Sequence, residues 1–434
     1  MPVEIADWND LDNVRNDLAG DYVLVNDLDS ETDGYAGIGD DWNPIAEQAF
    51  DGDFYIGDFD GDGFEIRDLI VDTTDRNVGL FSGLRSPGEI KNLSVVGDIT
   101  TTSDSSNACV LCAENRGLIE NCTAGGSVTA LSISITGGLV GRNEDTVTDS
   151  YATGSVEGDE RVGGLIGENE DTVTDSYATG SVGGDGVDVG GLVGRNGDTV
   201  TDSYATGSVE GDDNVGGLVG LNRFPSTLTE SYATGSVEGD DNVGGLVGLN
   251  NGGTVTESYA TGSVEGDGDV GGLVGREFGE VTDSYWDTET SGQSTSDGDA
   301  TGLTTAEMQG SEAETNMDGF DFANTWDSVL ESDDDTTADG YPILLSVNRV
   351  NQLESQGILA LEITGQITLD ETGVDTADVI VFNLTNNEFV GKTETDAEGN
   401  YTLRAGATGD TIAIAVDFDD GTERYGRVVT TVLE

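Results

Sequence analysis

GGLVGRNEDTVTDSYATGSVEGD, at Gly137–Asp159, is repeated with small changes as far as Tyr285. Its second glycine falls at Gly138, Gly164, Gly191, Gly217, Gly245 and Gly272, and its tyrosine at Tyr151, Tyr177, Tyr204, Tyr232, Tyr259 and Tyr285. The period is therefore 26 to 28 residues, within the range of solenoid repeats. Each period holds two segments with strand character, exemplified by VGGLVG at Val189–Gly194 and VTDSYATGSV at Val200–Val209, and neither carries a helix-length apolar face. The expected architecture is all-β, one solenoid coil per repeat, with coils roughly 4.8 Å apart and equivalent residues forming rows.

In such a stack Leu139, Leu165, Leu192, Leu218, Leu246 and Leu273 form a buried row. Alternation places Ser150, Ala152, Gly154 and Val156 inward and Tyr151, Thr153 and Ser155 outward. The glycines flanking the Leu-Val pair permit close backbone approach at the corners. The tyrosine row is the candidate recognition site: Tyr151, Tyr177, Tyr204, Tyr232, Tyr259 and Tyr285 are expected to form an exposed aromatic ladder suited to stacking on sugar rings. The competing reading is that these rings only hold adjacent coils in register.

The GLVG core at Gly138–Gly141 and its copies resemble the GLUG repeat family. Upstream, Trp42–Asp72 (WNPIAEQAFDGDFYIGDFDGDGFEIRDLIVD) and Val78–Gly83 (VGLFSG) are similar to degenerate first coils of that family. Downstream, SYWDTETSGQS at Ser284–Ser294, GLTTAEMQ at Gly302–Gln309, FANTWDSV at Phe322–Val329 and DGYPIL at Asp339–Leu344 are similar to its closing segment. The resemblance implies a right-handed β-helix in surface and adhesion proteins, with no catalytic activity to transfer.

The same phrase aligns earlier coils, with NLSVVGDI at Asn92–Ile99 and NCTAGGSV at Asn121–Val128 standing in for DSYATGSV. Trp8, Leu11, Val14 and Leu18 fall at helical spacing and predict a short capping helix at the open end. The expected organisation is an N-terminal cap at 1–50, the solenoid at 51–300, its closing segment at 301–346, a polar linker at 347–357 and a β-sandwich at 358–434. In the last region six short alternating segments, from ITGQITL to RYGRVVTTVL, predict strands. TETDAEGNYTL at Thr393–Leu403 resembles the hairpin of carboxypeptidase-regulatory-like, transthyretin- or Ig-like domains, which would place Gly399 in the turn and Tyr401 inward.

Acidic residues number 86 against 16 basic, a formal charge of −70, and the only lysines are Lys91 and Lys392. A solenoid aligns Asp149, Asp175, Asp202, Glu230, Glu257 and Asp283 in one row. Like charges about 4.8 Å apart repel by roughly 0.9 kcal/mol per pair even in water. At about 1 M salt the screening length is near 3 Å and most of that repulsion vanishes. The composition therefore predicts a high-salt, haloarchaeal setting, and the missing basic footprint argues against nucleic acid as a partner.

Met1–Gly20 lacks the pattern of a secretory signal, and no apolar run approaches the length of a membrane span. On that basis the expected role is a non-enzymatic virion surface protein of a haloarchaeal tailed virus: a tail fibre, baseplate spike or capsid turret. It would act as a homo-oligomer contacting other virion proteins and a host surface glycoprotein or glycan. A haloarchaeal cell-surface adhesin is the alternative, and a polysaccharide depolymerase the third reading. No cofactor, metal or membrane insertion is expected.

Cys109, Cys112 and Cys122 include a CxxC, but the chain has no histidine, so a zinc site would need a carboxylate as fourth ligand. Buried thiols, with Cys109 and Cys112 at glycine positions and Cys122 at a serine position of the repeat, are the leading reading, ahead of a disulfide or zinc. Asp58, Asp60, Asp62 and Gly63 match the opening of a calcium loop whose twelfth position is Leu69 rather than glutamate, leaving a tight turn as the better explanation. The sequons at Asn92, Asn121, Asn383 and Asn400 would accept glycans on an exported chain, though Asn92 and Asn121 read equally well as corner residues.

Overall fold

A computed structural model describes residues 1–46, 54–73, 76–102, 106–130, 134–330 and 338–356, and beyond them six C-terminal strands. The chain divides into two compact units, Met1–Glu307 with Met317–Asp321, and Met308–Asn316 with Phe322–Glu434. The first is the β-solenoid. Three sheets, of 17, 15 and 8 strands, form its faces, and strands of successive coils pair in parallel.

One coil shows the path. Ser134–Gly137 lies on the third sheet, Val140–Asn143 and Val147–Thr148 on the first, and Tyr151–Ala152 and Ser155–Glu157 on the second. Glu160–Gly163 then re-enters the third sheet beside Ser134–Gly137. The repeat thus contains five short strands around three corners, more than the two segments legible in the sequence.

Two of the corners have separate causes. Between the third and first sheets, a Cβ on Gly138 would lie 2.2 Å from the Gly164 carbonyl oxygen, so only glycine admits the next coil there. Between the first and second sheets, the acidic row takes the left-handed conformation, with φ from 47° to 50° at Asp149, Asp175, Asp202, Glu230, Glu257 and Asp283. Asn92 and Asn121 occupy the same corner in earlier coils at φ 52° and 51°, as their sequence alignment predicts. Aspartate and asparagine tolerate this region better than most residues.

Inside, the leucine row is fully buried from Leu139 to Leu273, each side chain contributing about 1.5–3 kcal/mol relative to exposure. Two polar rows run through the same interior. The side-chain amide of Asn115 donates to Asn143 at 2.7 Å, and the chain continues through Asn169, Asn196 and Asn222 to Asn250 at 2.9–3.0 Å, ending on the Glu277 carboxylate. At the acidic corner Ser150 Oγ donates to the Thr148 carbonyl at 2.7 Å and accepts from the Cys122 amide at 3.0 Å. The pattern recurs at Ser176, Ser203, Ser231 and Ser258. These buried rows are satisfied by the coils above and below, which makes every amide a test of register.

Stacking begins earlier than the expected boundary at residue 51. Val3–Ile5 pairs with Tyr22–Leu24, which pairs with Asp58–Asp60. The predicted helix is present as α1, Trp8–Asn13, capped by the Asp7 carboxylate accepting from the Asp10 amide at 2.9 Å. It lies between the first two stacked strands and buries Trp8 and Leu11. Cys109, Cys112 and Cys122 are free and buried, and burial raises the thiols of Cys109 and Cys122 to about 12. Cys122 stands at the Ser150 position as expected, but Cys112 pairs with Val140, a valine position and not a glycine one. The Asp58–Asp62 stretch makes a turn at Asp62 and Gly63, φ 49° and 82°, tied by the Asp62 amide to Asp60 Oδ1 at 2.9 Å.

In the second unit, α2 spans Gly310–Asn316, and Trp326–Asp327 pairs antiparallel with Ile343–Leu344. The expected linker at 347–357 is instead largely a helix, α3, Arg349–Gln356. Leu353 packs with Val329 and Ile343, and the buried Gln352 amide accepts from the Leu344 amide at 2.7 Å and donates to its carbonyl at 2.9 Å. A polar residue satisfied on both sides explains why a polar stretch folds here.

The six predicted C-terminal strands are present as Glu362–Gln366 paired with Asn400–Arg404, and a four-stranded antiparallel sheet of Ala377–Asn383, Glu388–Glu394, Thr411–Phe418 and Val429–Val432. Among the described residues, the strands that carry the ends of the Thr393–Leu403 motif, Glu388–Glu394 and Asn400–Arg404, belong to different sheets. Gly399 and the side chain of Tyr401 lie outside the described residues.

Candidate functional surface

The tyrosine row points away from the solenoid interior, as alternation predicts, with Ser150 and Ala152 buried on the opposite side. It is not an exposed ladder. Rings from Tyr151 to Tyr259 stack at 4.6–5.0 Å, within 7° of parallel, and Tyr204, Tyr232 and Tyr259 are fully buried. Tyr177 and Tyr285 are also buried, and only Tyr151 keeps intermediate exposure.

The physical reason is mutual coverage: at van der Waals spacing each ring shields both faces of its neighbours. Phe320 closes the end of the row, edge-on to Tyr285 at 5.3 Å and tilted against Tyr259 at 6.3 Å. The Tyr285 hydroxyl donates to Asp318 at 3.3 Å and accepts from the Gly319 amide at 3.1 Å. Burial, with the neighbouring phenols second, holds Tyr204 and Tyr232 well above the ordinary phenol value. Stacking on sugars requires free ring faces, and this row offers none between Tyr177 and Tyr259.

Two other surfaces were not singled out by the sequence. Along the edge between the second and third sheets runs an open cleft with parts of about 580 and 570 Å³. Asp185, Glu210, Asp212, Glu238, Asp240 and Glu265 line it, with no basic residue among them. Burial and the charges of Asp240, Asp185 and Asp213 raise the Asp212 carboxyl. Among the described residues no group of three or more acidic or cysteine side chains is arranged to hold a metal ion.

The second surface lies on the outer side of the first sheet. There the register aligns Glu114, Arg142, Glu168 and Arg195 in successive coils, an alternating charge row in which Glu168 meets Arg142 at 3.6 Å and Arg161 at 3.3 Å. In the next two coils the same position holds Leu221 and Leu249, followed by Arg276. Beside them Phe224 is 75% exposed and Phe278 61% exposed. A sequence signal was present: Arg223-Phe224-Pro225-Ser226 stand where earlier copies have two residues, as at Glu144-Asp145, and give the longest of the spacings, 28 residues, between Gly217 and Gly245.

With the coil geometry established, the repeat itself matches the family described as the GLUG motif at residues 134–157, 158–183, 185–210 and 239–265. GLUG motif repeats are therefore present in this solenoid. Residues 211–238, between the third and fourth matched stretches, contain the Phe224 insertion. Part of the chain is similar to Halomucin of Haloquadratum walsbyi, 29% identical over 157 residues, covering 34% of this chain and 2% of that protein. Another similarity is to a Gly-rich membrane protein of Evansella cellulosilytica, 36% identical over 115 residues, covering 26% of this chain and 13% of that protein. The chain thus spans a small fraction of either relative. No solved structure matches it. No helix among the described residues is long and apolar enough to cross a membrane.

Proposed function

We propose that this GLUG solenoid is a non-enzymatic structural module displayed at a haloarchaeal cell surface, of the adhesin type. The observation that carries the reading is the similarity of a third of the chain to Halomucin, a protein of a haloarchaeon, in a chain with 86 acidic and 16 basic residues. The acidic corner recurs in six successive coils from Asp149 to Asp283, which suits a solvated coat for a rigid shaft.

The cell-surface reading therefore takes precedence over the virion tail fibre, spike or turret, which would place the protein on a different surface. The test is protease shaving of intact cells in growth-level salt, combined with antibody labelling of cells and of purified virus fractions. The expected result is loss of the antigen from intact cells by external protease. Antigen protected inside cells contradicts surface display, and antigen confined to virus particles returns the protein to the virion.

A further inference from the structure

We infer that Phe224 and Phe278 form a saccharide-binding platform on the outer face of the first sheet; this rests on the surface role proposed above and names its ligand class. Phe224 and Phe278 belong to coils two apart, because Arg223 pairs with Asn251 and Asn250 with Glu277. Two coil spacings put them roughly 10 Å apart along the stack axis. Each is anchored through its backbone, Phe224 donating its amide to the Asn251 carbonyl at 3.0 Å and Phe278 to the Asn250 carbonyl at 2.8 Å.

Between them the chain narrows to Gly252 and Gly253, and the Phe224 side chain stands over the first of these, its Cβ 3.2 Å from where a Gly252 Cβ would lie. The Arg276 guanidinium sits 4.9 Å from the centroid of the Phe278 ring and fixes its attitude by cation–π attraction. Exposed Asn251 and Glu280 supply hydrogen-bonding groups at the margin.

Three arguments select a saccharide. In molar salt the screening length is about 3 Å, so contacts between exposed charges contribute little, while stacking of a sugar's apolar face on an aromatic ring is not screened. Two rings roughly 10 Å apart, with a glycine gap between them, match alternate rings of a sugar chain, and the amide and carboxylate beside them match its hydroxyls. The apolar patch, made by the two phenylalanines, Pro225 and Leu249, is small against the roughly 1,000 Å² that a stable protein interface requires. Phe224 and Phe278 are also the only aromatic residues among the exposed large hydrophobics of the described residues, so they are not a general property of this surface.

The test uses the full chain in molar potassium chloride, retained on beads carrying polysaccharide released by protease from haloarchaeal envelopes. Phe224→Ser with Phe278→Ser is expected to weaken retention by about tenfold or more, the loss of two aromatic stacks, with the melting temperature unchanged. Phe224→Trp with Phe278→Trp is expected to restore it. Equal retention of the serine variant, or a loss that tracks a lower melting temperature, overturns the proposal. So does a wild-type dimer that becomes a monomer on substitution, which would make a second copy the occupant. Wild-type protein that shows surface display in the shaving experiment but ignores the polysaccharide refutes the platform and leaves the surface role standing.

Discussion

From Ser134 to Asp287 the solenoid interior is built of repeated leucine, valine and alanine with asparagine and serine rows, whereas from Val3 to Glu120 the same stack encloses Trp8, Trp42, Tyr55, Phe59 and Phe81. Phe81 touches Tyr55 at 5.3 Å and Phe59 at 5.4 Å, an irregular aromatic packing unlike the parallel tyrosine row of the later coils. Parallel pairing crosses from one region to the other, with register shifts at Ile66/Leu69 and Arg85/Glu89 confined to the earlier coils. A coil is therefore defined by its corners and its backbone pairing, and its filling is exchangeable so long as volume is conserved.

The sharpest way to break this comparison is at one corner position. Gly79, Cys109, Gly137, Gly163 and Gly190 succeed one another there. A Cβ on Gly190 would lie 2.1 Å from the Val193 carbonyl oxygen, while on Gly79 its nearest neighbour is 3.0 Å away and the next coil already carries Cys109. Gly190→Ala is expected to destabilise by more than about 4 kcal/mol or to prevent folding, and Gly79→Ala by about 1 kcal/mol or less. Paired chemical denaturation in high salt measures both, and equal losses would remove the distinction between the two regions.

A smaller effect is expected from the polar rows. Asn196→Leu removes the amide that links Asn169 to Asn222 and leaves two buried groups short of a partner, a loss of about 2–4 kcal/mol. Replacing the neighbouring Leu192 with alanine costs a comparable 2–5 kcal/mol through its cavity. If Asn196→Leu is neutral by calorimetry, the row is a by-product of stacking and not a cause of register.

Smaller still is the pH response. Burial and like charges raise Asp212 above its ordinary 3.8 and Glu257 above 4.5, the latter through Glu230, Asp283 and Asp321. The folded chain then holds these protons more tightly than the unfolded one, so stability falls as pH climbs through those values. In low salt, acidifying from neutral toward about pH 4 should raise the melting temperature, and molar salt should raise it further and flatten the pH response. A far-UV melt indifferent to both salt and pH contradicts the electrostatic account.

Much of this was legible in the sequence because a repeat converts one correct assignment into six. The leucine row, the inward serine and alanine, and the asparagine corners all follow from period and alternation. The asparagine row was not read, although its signal was present: an amide recurring at one strand position, where asparagine is disfavoured, marks a buried ladder. Closure of the tyrosine row was not legible, because it depends on ring-to-ring spacing and on Phe320, far along the chain. Helix α3 was hidden for a similar reason: its polar sequence folds around contacts to Leu344 that local pattern does not report. Phe224 was visible only as a break in the phrase.

Stacking in register is the central claim, and nitration of the tyrosine row in high salt, mapped by mass spectrometry, tests it directly. A slip of one residue would turn the row to the other face. Tyr151 should react while Tyr204, Tyr232 and Tyr259 resist until the chain unfolds. Uniform reactivity along the row in the folded protein would contradict the account.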